Sequence, residues 1–188
     1  MKALRNLFLT FVMVFALAYL TLIAAQAGAV VGKKAPDFSA VDYKGQTHSL
    51  AEQKGKVVVL EWLNPDCPFV QRHYREGTMK TLAERYKDRG VAWFAVNSTN
   101  YHDADISRQW AEKYDLSYPV LVDKDGKVGK LYGAKTTPHM FVIDREGRLV
   151  YSGAVDDDPG GNKEKRELYL EAAIQAALQN QEPAKSET

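Results

Sequence analysis

An apolar stretch at positions 56–62 is the strongest structural signal in the chain. Its sequence, KVVVLEW, follows Gly55 and is rich in β-branched side chains. A short apolar run of this kind predicts a strand that is covered on both faces. Such a strand belongs in the centre of a sheet.

Strand and helix patterns alternate along the rest of the chain. Two short strands around a turn precede the central run, and a helical pattern that breaks near Gly77 and ends at Gly90 follows it. The later elements are a strand at 91–96, a helix capped by Asp103 or Asp105, a strand at 119–122, a short helix, a hairpin around 145–147 and a last helix from about Asn162. This order predicts an α/β fold: a mixed β-sheet with helices on both faces, an N-terminal β-hairpin and a C-terminal helix.

The composition is that of an ordinary globular protein. The chain has 188 residues, 45% of them apolar, and one cysteine, which excludes a small scaffold held together by disulfides. The 25 basic and 24 acidic side chains nearly balance, so the sequence carries no electrostatic signature of nucleic-acid binding. We expect one domain at 28–180 and a polar, frayed tail at 181–188.

The first 27 residues have the pattern of an export signal. Lys2 and Arg5 precede a run of apolar and small residues at 7–25, and Ala25-Gln26-Ala27 provides an A-x-A cleavage site. The run is also long enough to span a bilayer if it is not cleaved, which takes about 20 apolar residues. Both alternatives, a signal peptide or an uncleaved N-terminal anchor, place the domain outside the cytoplasm, either periplasmic or secreted. Any membrane contact is then limited to this segment.

Cys67 stands where the central strand gives way to a helix, and Pro68 follows it. Proline favours the first helical turn, so Cys67 is predicted at or beside the N-cap. Unpaired backbone N–H groups and the helix dipole favour a thiolate there, whereas the neighbouring Asp66 carboxylate opposes it. The alternative is that Cys67 is a small buried apolar residue without a chemical role.

Four short motifs follow one another along the chain. They are A-P-D-F at 35–38, N-P-D-C-P-F-V at 64–70, T-P-H-M at 137–140 and D-D-D-P at 156–159. Together they resemble the bacterial peroxiredoxin-like branch of the redoxin (alkyl hydroperoxide reductase/thiol-specific antioxidant, AhpC/TSA) superfamily. The resemblance covers most of residues 31–178. It implies a thioredoxin-like fold and an antioxidant or thiol–disulfide oxidoreductase activity that uses Cys67.

The chain departs from these relatives at two positions. Asn64 stands where thioredoxin-like relatives have the first, attacking cysteine of C-x-x-C, and where peroxiredoxins have a threonine. Pro138 stands where peroxiredoxins have an arginine that stabilises the thiolate and the peroxide. The resemblance also implies a cis Thr137-Pro138 bond, which would present the Thr137 backbone beside Cys67 for strand-like pairing with an extended substrate. The alternative is an ordinary turn proline.

Two further side chains are candidates for a supporting role. Glu61 ends the central strand and could accept a proton near Cys67, or could lie in solvent. His139 follows Pro138 and could act as a base or ion-pair partner, or could point outward from the start of a strand. The acidic residues at 156–158 lack the ligand spacing of a calcium loop and are expected to be solvated. With no zinc or cofactor motif in the sequence, we expect neither a metal nor a cofactor.

Two functions fit these patterns. In the first, an exported redox enzyme uses Cys67 to attack a peroxide or a protein disulfide, and an external thiol or a thioredoxin-like reductant completes the cycle, because a single cysteine cannot form an internal disulfide. In the second, the fold is a redox-inactive binding or chaperone-like module that keeps the groove at Thr137-Pro138 to hold partner proteins.

Overall fold

The computed structural model describes residues 28–188. Seven strands are present in this part of the chain: β1 (Ser39–Val41), β2 (Thr47–Ser49), β3 (Val57–Trp62), β4 (Val91–Asn97), β5 (Val120–Val122), β6 (His139–Ile143) and β7 (Leu149–Gly153). The same part contains five α-helices: α1 (Pro68–Arg75), α2 (Thr78–Lys87), α3 (Ala104–Lys113), α4 (Lys127–Tyr132) and α5 (Tyr169–Leu178). A short 3₁₀ turn, Ala51–Gln53, precedes β3.

The main sheet has five strands in the order β5-β4-β3-β6-β7, with β3 in the centre. Strand β3 is parallel to β4 and antiparallel to β6, and β6 and β7 form the terminal hairpin. Strands β1 and β2 pair separately as an N-terminal hairpin. The predicted α/β fold, with a mixed sheet of the thioredoxin-like type, is therefore confirmed.

Every side chain of β3 is buried, as expected for a central strand. Successive side chains point to opposite faces. Val57 and Val59 face a core built with α1, α2, α3 and α5, whereas Val58 and Leu60 face a second core built with α4 and the segment before β1. Helices therefore lie on both faces, as predicted, but unequally: four on one face and the six-residue α4 on the other.

The helical pattern after Cys67 is divided into α1 and α2 at Gly77. Gly77 adopts φ 73°, a left-handed conformation that glycine reaches without steric cost, so the chain changes direction there. The cap of α3 is Asp103, whose side chain accepts a hydrogen bond from the backbone N–H of Ile106.

The last helix begins at Tyr169 and not near Asn162, which corrects the sequence prediction. The Asp158 carboxylate accepts hydrogen bonds from the backbone N–H groups of Asn162 and Lys163, and the Asp157 carboxylate accepts one from Glu167. Side-chain acceptors that bind nearby backbone donors compete with helix formation, so this segment folds as a loop.

The tail is ordered against the sheet and not frayed as predicted. The Ser152 N–H donates to the Ser186 carbonyl at 3.0 Å, and Glu187 forms a parallel bridge with Ser152 of the edge strand β7. The Thr188 hydroxyl accepts a hydrogen bond from the backbone N–H of Ala154 at 2.9 Å. The tail thus covers part of an edge strand whose backbone groups would otherwise be unpaired.

The predicted signal peptide or anchor at 1–27 lies outside the described residues. Within 28–188, none of the helices combines the length and the apolar character needed to cross a membrane.

Glycine at position 153 should be required for docking of the tail. A Cβ on Gly153 would lie 2.8 Å from the Thr188 backbone nitrogen and would collide with the Thr188 side chain. In Gly153→Ala we expect the Ser152 amide to lose its protection from hydrogen exchange while the protein stays folded. The control Ser186→Ala keeps the backbone acceptor and should leave protection intact. Unchanged protection in Gly153→Ala would contradict the docked tail.

Candidate active site at the carboxyl end of the central strand

The pairing register of β3 and β6 brings two distant segments together. Trp62, the last residue of β3, is paired with His139, the first residue of β6. Because the two strands are antiparallel, the chain leaving β3 and the chain entering β6 meet at the same edge of the sheet. Cys67 and the Thr137-Pro138 segment therefore lie side by side.

Cys67 occupies the N-cap of α1, with Pro68 in the first helical turn. The Cys67 backbone is extended, at φ −75° and ψ 122°, and its N–H donates to the Asn64 carbonyl at 3.0 Å. The side chain is partly exposed and packs against the larger core. The sulfur is therefore at a helix N-terminus and within reach of solvent, a combination that favours reactivity.

The Cys67 thiol donates a hydrogen bond to the Thr137 carbonyl, with 3.0 Å between sulfur and oxygen. The Thr137-Pro138 peptide bond is cis, as the resemblance implied. This contact opposes the helix terminus, because a carbonyl acceptor stabilises the protonated thiol and not the thiolate. A substrate that takes over the Thr137 carbonyl would remove that stabilisation.

Asp66 is held by residues that the sequence analysis did not identify. Its carboxylate accepts hydrogen bonds from His102 Nε2 at 3.0 Å and from the Tyr101 hydroxyl at 3.1 Å. Asn97 Nδ2 lies 3.4 Å from His102 Nδ1, which makes Nδ1 the acceptor and Nε2 the protonated nitrogen. No motif marks His102, because its place at the site depends on the loop after β4 meeting the turn before Cys67.

Asn64 supports the turn and not the sulfur directly. Its side-chain oxygen accepts a hydrogen bond from the Asp66 N–H at 2.9 Å, and its carbonyl accepts the one from Cys67. The polar group that replaces the threonine of peroxiredoxins is thus used to hold the backbone before the helix.

Glu61 is completely buried, so the expectation of a solvated strand end is wrong. Its Oε2 accepts a hydrogen bond from Trp93 Nε1 at 3.0 Å, and its Oε1 has no partner at hydrogen-bonding distance. Burial raises the pKa of Glu61 to about 7, while the donors of Tyr74, Trp93 and Tyr118 act in the opposite direction. No hydrogen bond joins Glu61 to Cys67 among the described residues.

Both ring nitrogens of His139 form hydrogen bonds with groups other than the thiol, and its role as base or ion-pair partner stays a prediction. Its Nδ1 accepts a hydrogen bond from the Lys135 N–H at 3.3 Å, and its Nε2 lies 3.1 Å from the Ser152 hydroxyl. Burial, together with the positive charge of Lys135, lowers the pKa of His139. It therefore links the loop before β6 to β7.

The acidic stretch at 156–158 belongs to a buried ionic cluster, so the expectation of a solvated loop is wrong for two of its members. Asp156 and Asp158 are 4% and 5% exposed. Asp156 pairs with Arg72 of α1 and with Arg166. Within residues 28–188, no group of three or more His, Cys, Asp or Glu residues could hold a metal ion.

Arg72 does not take the place of the arginine of peroxiredoxins, because its charge is already paired. Its guanidinium contacts Glu76 and Asp156 and donates to His73 Nε2 at 2.9 Å. His73 is buried, and burial followed by the charge of Arg72 lowers its pKa to about 4. Both residues serve to join α1 to the loop before α5.

Replacing Glu61 should change how stability depends on pH. A raised pKa means that folding favours the neutral carboxyl, so its contribution is complete below the ordinary value of 4.5 and is lost as the pH rises through about 7. Between pH 4 and 8, the wild type should lose about 3 kcal/mol of unfolding free energy that Glu61→Gln retains.

Urea denaturation at the two pH values measures this difference. Glu84→Gln, at an exposed position of α2, is the matched control and should follow the wild type. If Glu61→Gln also follows the wild type, Glu61 is ionised in the folded protein and the stated pKa is wrong.

Comparison with known proteins shows the family to which the chain is similar. Residues 31–152 match the AhpC/TSA family. The thiol-disulfide oxidoreductase ResA of Bacillus thuringiensis subsp. konkukian is 31% identical over 141 residues, which are 74% of this chain and 76% of ResA. The thioredoxin-like protein YneN of Bacillus subtilis is 30% identical over 151 residues, 80% of this chain and 83% of YneN.

Two solved structures share the fold over most of its length. A hypothetical protein from Sinorhizobium meliloti 1021 superimposes with a TM-score of 0.77 at 29% identity, covering 86% of this chain and 91% of the other. An uncharacterised conserved protein from Geobacillus kaustophilus gives a TM-score of 0.76 at 27% identity, covering 85% and 87%.

Proposed function

The chain belongs to the AhpC/TSA family, and from that premise we propose that it is an exported thiol-dependent redox enzyme whose nucleophile is Cys67. The observation that carries the proposal is the position of the sulfur. It lies at the N-cap of α1, partly exposed, 3.0 Å from the carbonyl that precedes the cis-proline. The relatives ResA and YneN, named as thiol-disulfide oxidoreductase and thioredoxin-like protein, support a thiol redox role.

The proposed reaction has two steps and needs a second sulfur from outside. In the first, the Cys67 thiolate attacks a peroxide oxygen, giving a sulfenic acid and an alcohol or water, or attacks a disulfide sulfur, giving a mixed disulfide and a free thiolate. In the second, external thiols restore Cys67: a sulfenic acid first condenses with one thiol to a mixed disulfide and water, and a further external thiol then attacks the mixed disulfide, which releases the Cys67 thiol and a disulfide of the external thiols. The chain has one cysteine, so no internal thiol can perform this step.

The segment before β6 supplies the substrate contact in this proposal. Thr137 presents its backbone beside Cys67, and an extended chain could pair with it as an added strand would. When the substrate displaces the thiol from the Thr137 carbonyl, the helix terminus is left to favour the thiolate. Asn64 and Pro68 fix the backbone on either side of Cys67, so we assign them positioning roles.

A second candidate function is a binding module without redox turnover. It is favoured by the hydrogen bond from the Cys67 thiol to the Thr137 carbonyl, which occupies the sulfur, and by Asn64 in place of a second cysteine. The two functions differ in whether the sulfur is needed. A partner captured equally by the wild type and by Cys67→Ser indicates binding, whereas capture that is abolished by the substitution indicates chemistry.

Hydrogen peroxide with a sulfenic-acid trap should label Cys67 in the wild type. Because a serine hydroxyl cannot form a sulfenic acid, Cys67→Ser should remain unlabelled. Intact-mass spectrometry measures the adduct, and a second sample incubated with a small disulfide tests for a mixed disulfide. A wild-type protein that forms neither product would exclude the redox proposal and leave the binding module.

Export is proposed from residues 1–27 alone. We expect the mature protein to begin at Gly28, because cleavage follows the small residues Ala25 and Ala27. Mass spectrometry of the protein recovered from the extracytoplasmic fraction measures its N-terminus. Full-length protein in the membrane fraction would indicate the uncleaved anchor, and protein confined to the cytoplasm would contradict export.

A further inference from the structure

A cleft of about 240 Å³ is lined in part by Asn64 and Thr137, the two residues whose carbonyls accept hydrogen bonds from Cys67. Trp62 and Leu63 are among the residues that line it, together with side chains of the loops around the site: Asn64, Ser98, Thr99, Ala134, Lys135, Thr136 and Thr137. Thr137 joins the cleft to the sulfur, because its carbonyl accepts the hydrogen bond from Cys67.

Most of the polar groups that line this cleft are uncharged, and one lining residue carries a positive charge. Hydroxyl and amide groups form most of its polar lining, no acidic residue lines it, and Lys135 is the one basic residue that does. Lys135 is exposed, and its ammonium forms no ion pair with any residue in 28–188. The positive charge of Lys135 contributes to the lowered pKa of the neighbouring His139.

Two carboxylates that adjoin residues lining the cleft form their hydrogen bonds with groups other than Lys135. Asp66 is bound by Tyr101 and His102. Asp123, which lies behind Ser98, accepts hydrogen bonds from the Ser98 hydroxyl at 2.6 Å and from two backbone N–H groups at the start of α4. Neither carboxylate forms an ion pair with Lys135, so its ammonium can pair with an anion that enters the cleft.

We propose that this cleft selects small thiols that carry a carboxylate, free or as their disulfides, and that Lys135 is the specificity-determining residue. The proposal rests on the redox function of Cys67 proposed above. Charge complementarity raises the local concentration of an anionic ligand and its rate of association, and it does so without new contacts at the reacting sulfur. The size of the cleft suits a small molecule and not a folded domain.

The thiol–disulfide exchange needs no reactant besides the Cys67 thiolate and the small disulfide. The Cys67 thiolate attacks one sulfur of the disulfide RSSR, a Cys67–S–S–R bond forms, and RS⁻ leaves with the electron pair of the broken bond. In the reverse direction, a second RS⁻ attacks the R sulfur of the mixed disulfide, which forms RSSR and releases the Cys67 thiolate. The carboxylate of R does not react and serves only to contact Lys135.

Three small disulfides of similar length and different charge test the proposal: dithiodipropionate, which is anionic, hydroxyethyl disulfide, which is neutral, and cystamine, which is cationic. The rate of mixed-disulfide formation on full-length protein is followed by intact mass. For each disulfide, the rate of the wild type is compared with that of Lys135→Glu. Because both proteins react with the same disulfide, differences in leaving-group reactivity among the three disulfides do not affect this ratio. We expect Lys135→Glu to react about tenfold more slowly with dithiodipropionate, within about twofold of the wild type with hydroxyethyl disulfide, and several-fold faster with cystamine.

The control Lys124→Glu makes the same charge change at an exposed lysine that does not line the cleft, and should shift none of the three rates by more than about twofold. High salt, which screens charges beyond about 3 Å at 1 M, should reduce the differences. If Lys135→Glu changes all three rates equally or none of them, Lys135 does not select the substrate and a protein thiol becomes the favoured reductant. If wild-type Cys67 reacts with none of the disulfides, the proposed redox function itself fails together with the inference.

Discussion

The burial of β3 on both faces is the constraint on which the rest of the structure depends. A strand whose side chains are all buried requires paired neighbours on both edges and packed layers above and below it. The parallel neighbour β4 requires a crossover, which α1 and α2 provide, and the antiparallel neighbour β6 brings the chain back with its beginning at the end of β3. The location of the candidate active site follows from this arrangement.

Cys67 is subject to two opposing effects that have the same structural origin. The end of β3 sends the chain into a helix, and the helix N-terminus favours negative charge on the sulfur. The beginning of β6 places the Thr137 carbonyl against the same sulfur, and this carbonyl favours the protonated thiol. Under the proposed function, a bound substrate competes for this carbonyl and not for the helix terminus.

Charged groups elsewhere serve structure and not chemistry. Arg72 and Asp156 form a buried ion pair that joins α1 to the loop before α5, and the partly exposed Arg166 also pairs with Asp156; burying such charges is tolerated only when each has partners. Glu61 lies deep under the helical layer beside Trp93, where the neutral carboxyl is favoured. Among the described residues, neither group forms a hydrogen bond with the sulfur.

The sequence by itself determined the order of the elements, the central position of β3, the break at Gly77 and the helix start at Cys67 and Pro68. These features depend on residues that are neighbours along the chain or follow a local period. Motif resemblance identified the segment at Thr137 and Pro138. Local pattern did not predict the loop at 157–167, where side-chain carboxylates accept hydrogen bonds from backbone N–H groups in place of helical carbonyls. It also did not predict the ordered tail, which pairs with the edge strand β7.

Only the tertiary structure decided how individual side chains are used. Glu61, His139 and Asp156 have polar side chains that suit either solvent or a reaction site, and their partners come from other elements far along the chain. His102 and Lys135 carry no local signal either, because their relation to Cys67 arises where separate loops meet at one edge of the sheet. The sequence determines what each segment becomes, whereas distances, burial and charge pairing between segments exist only after the chain has folded.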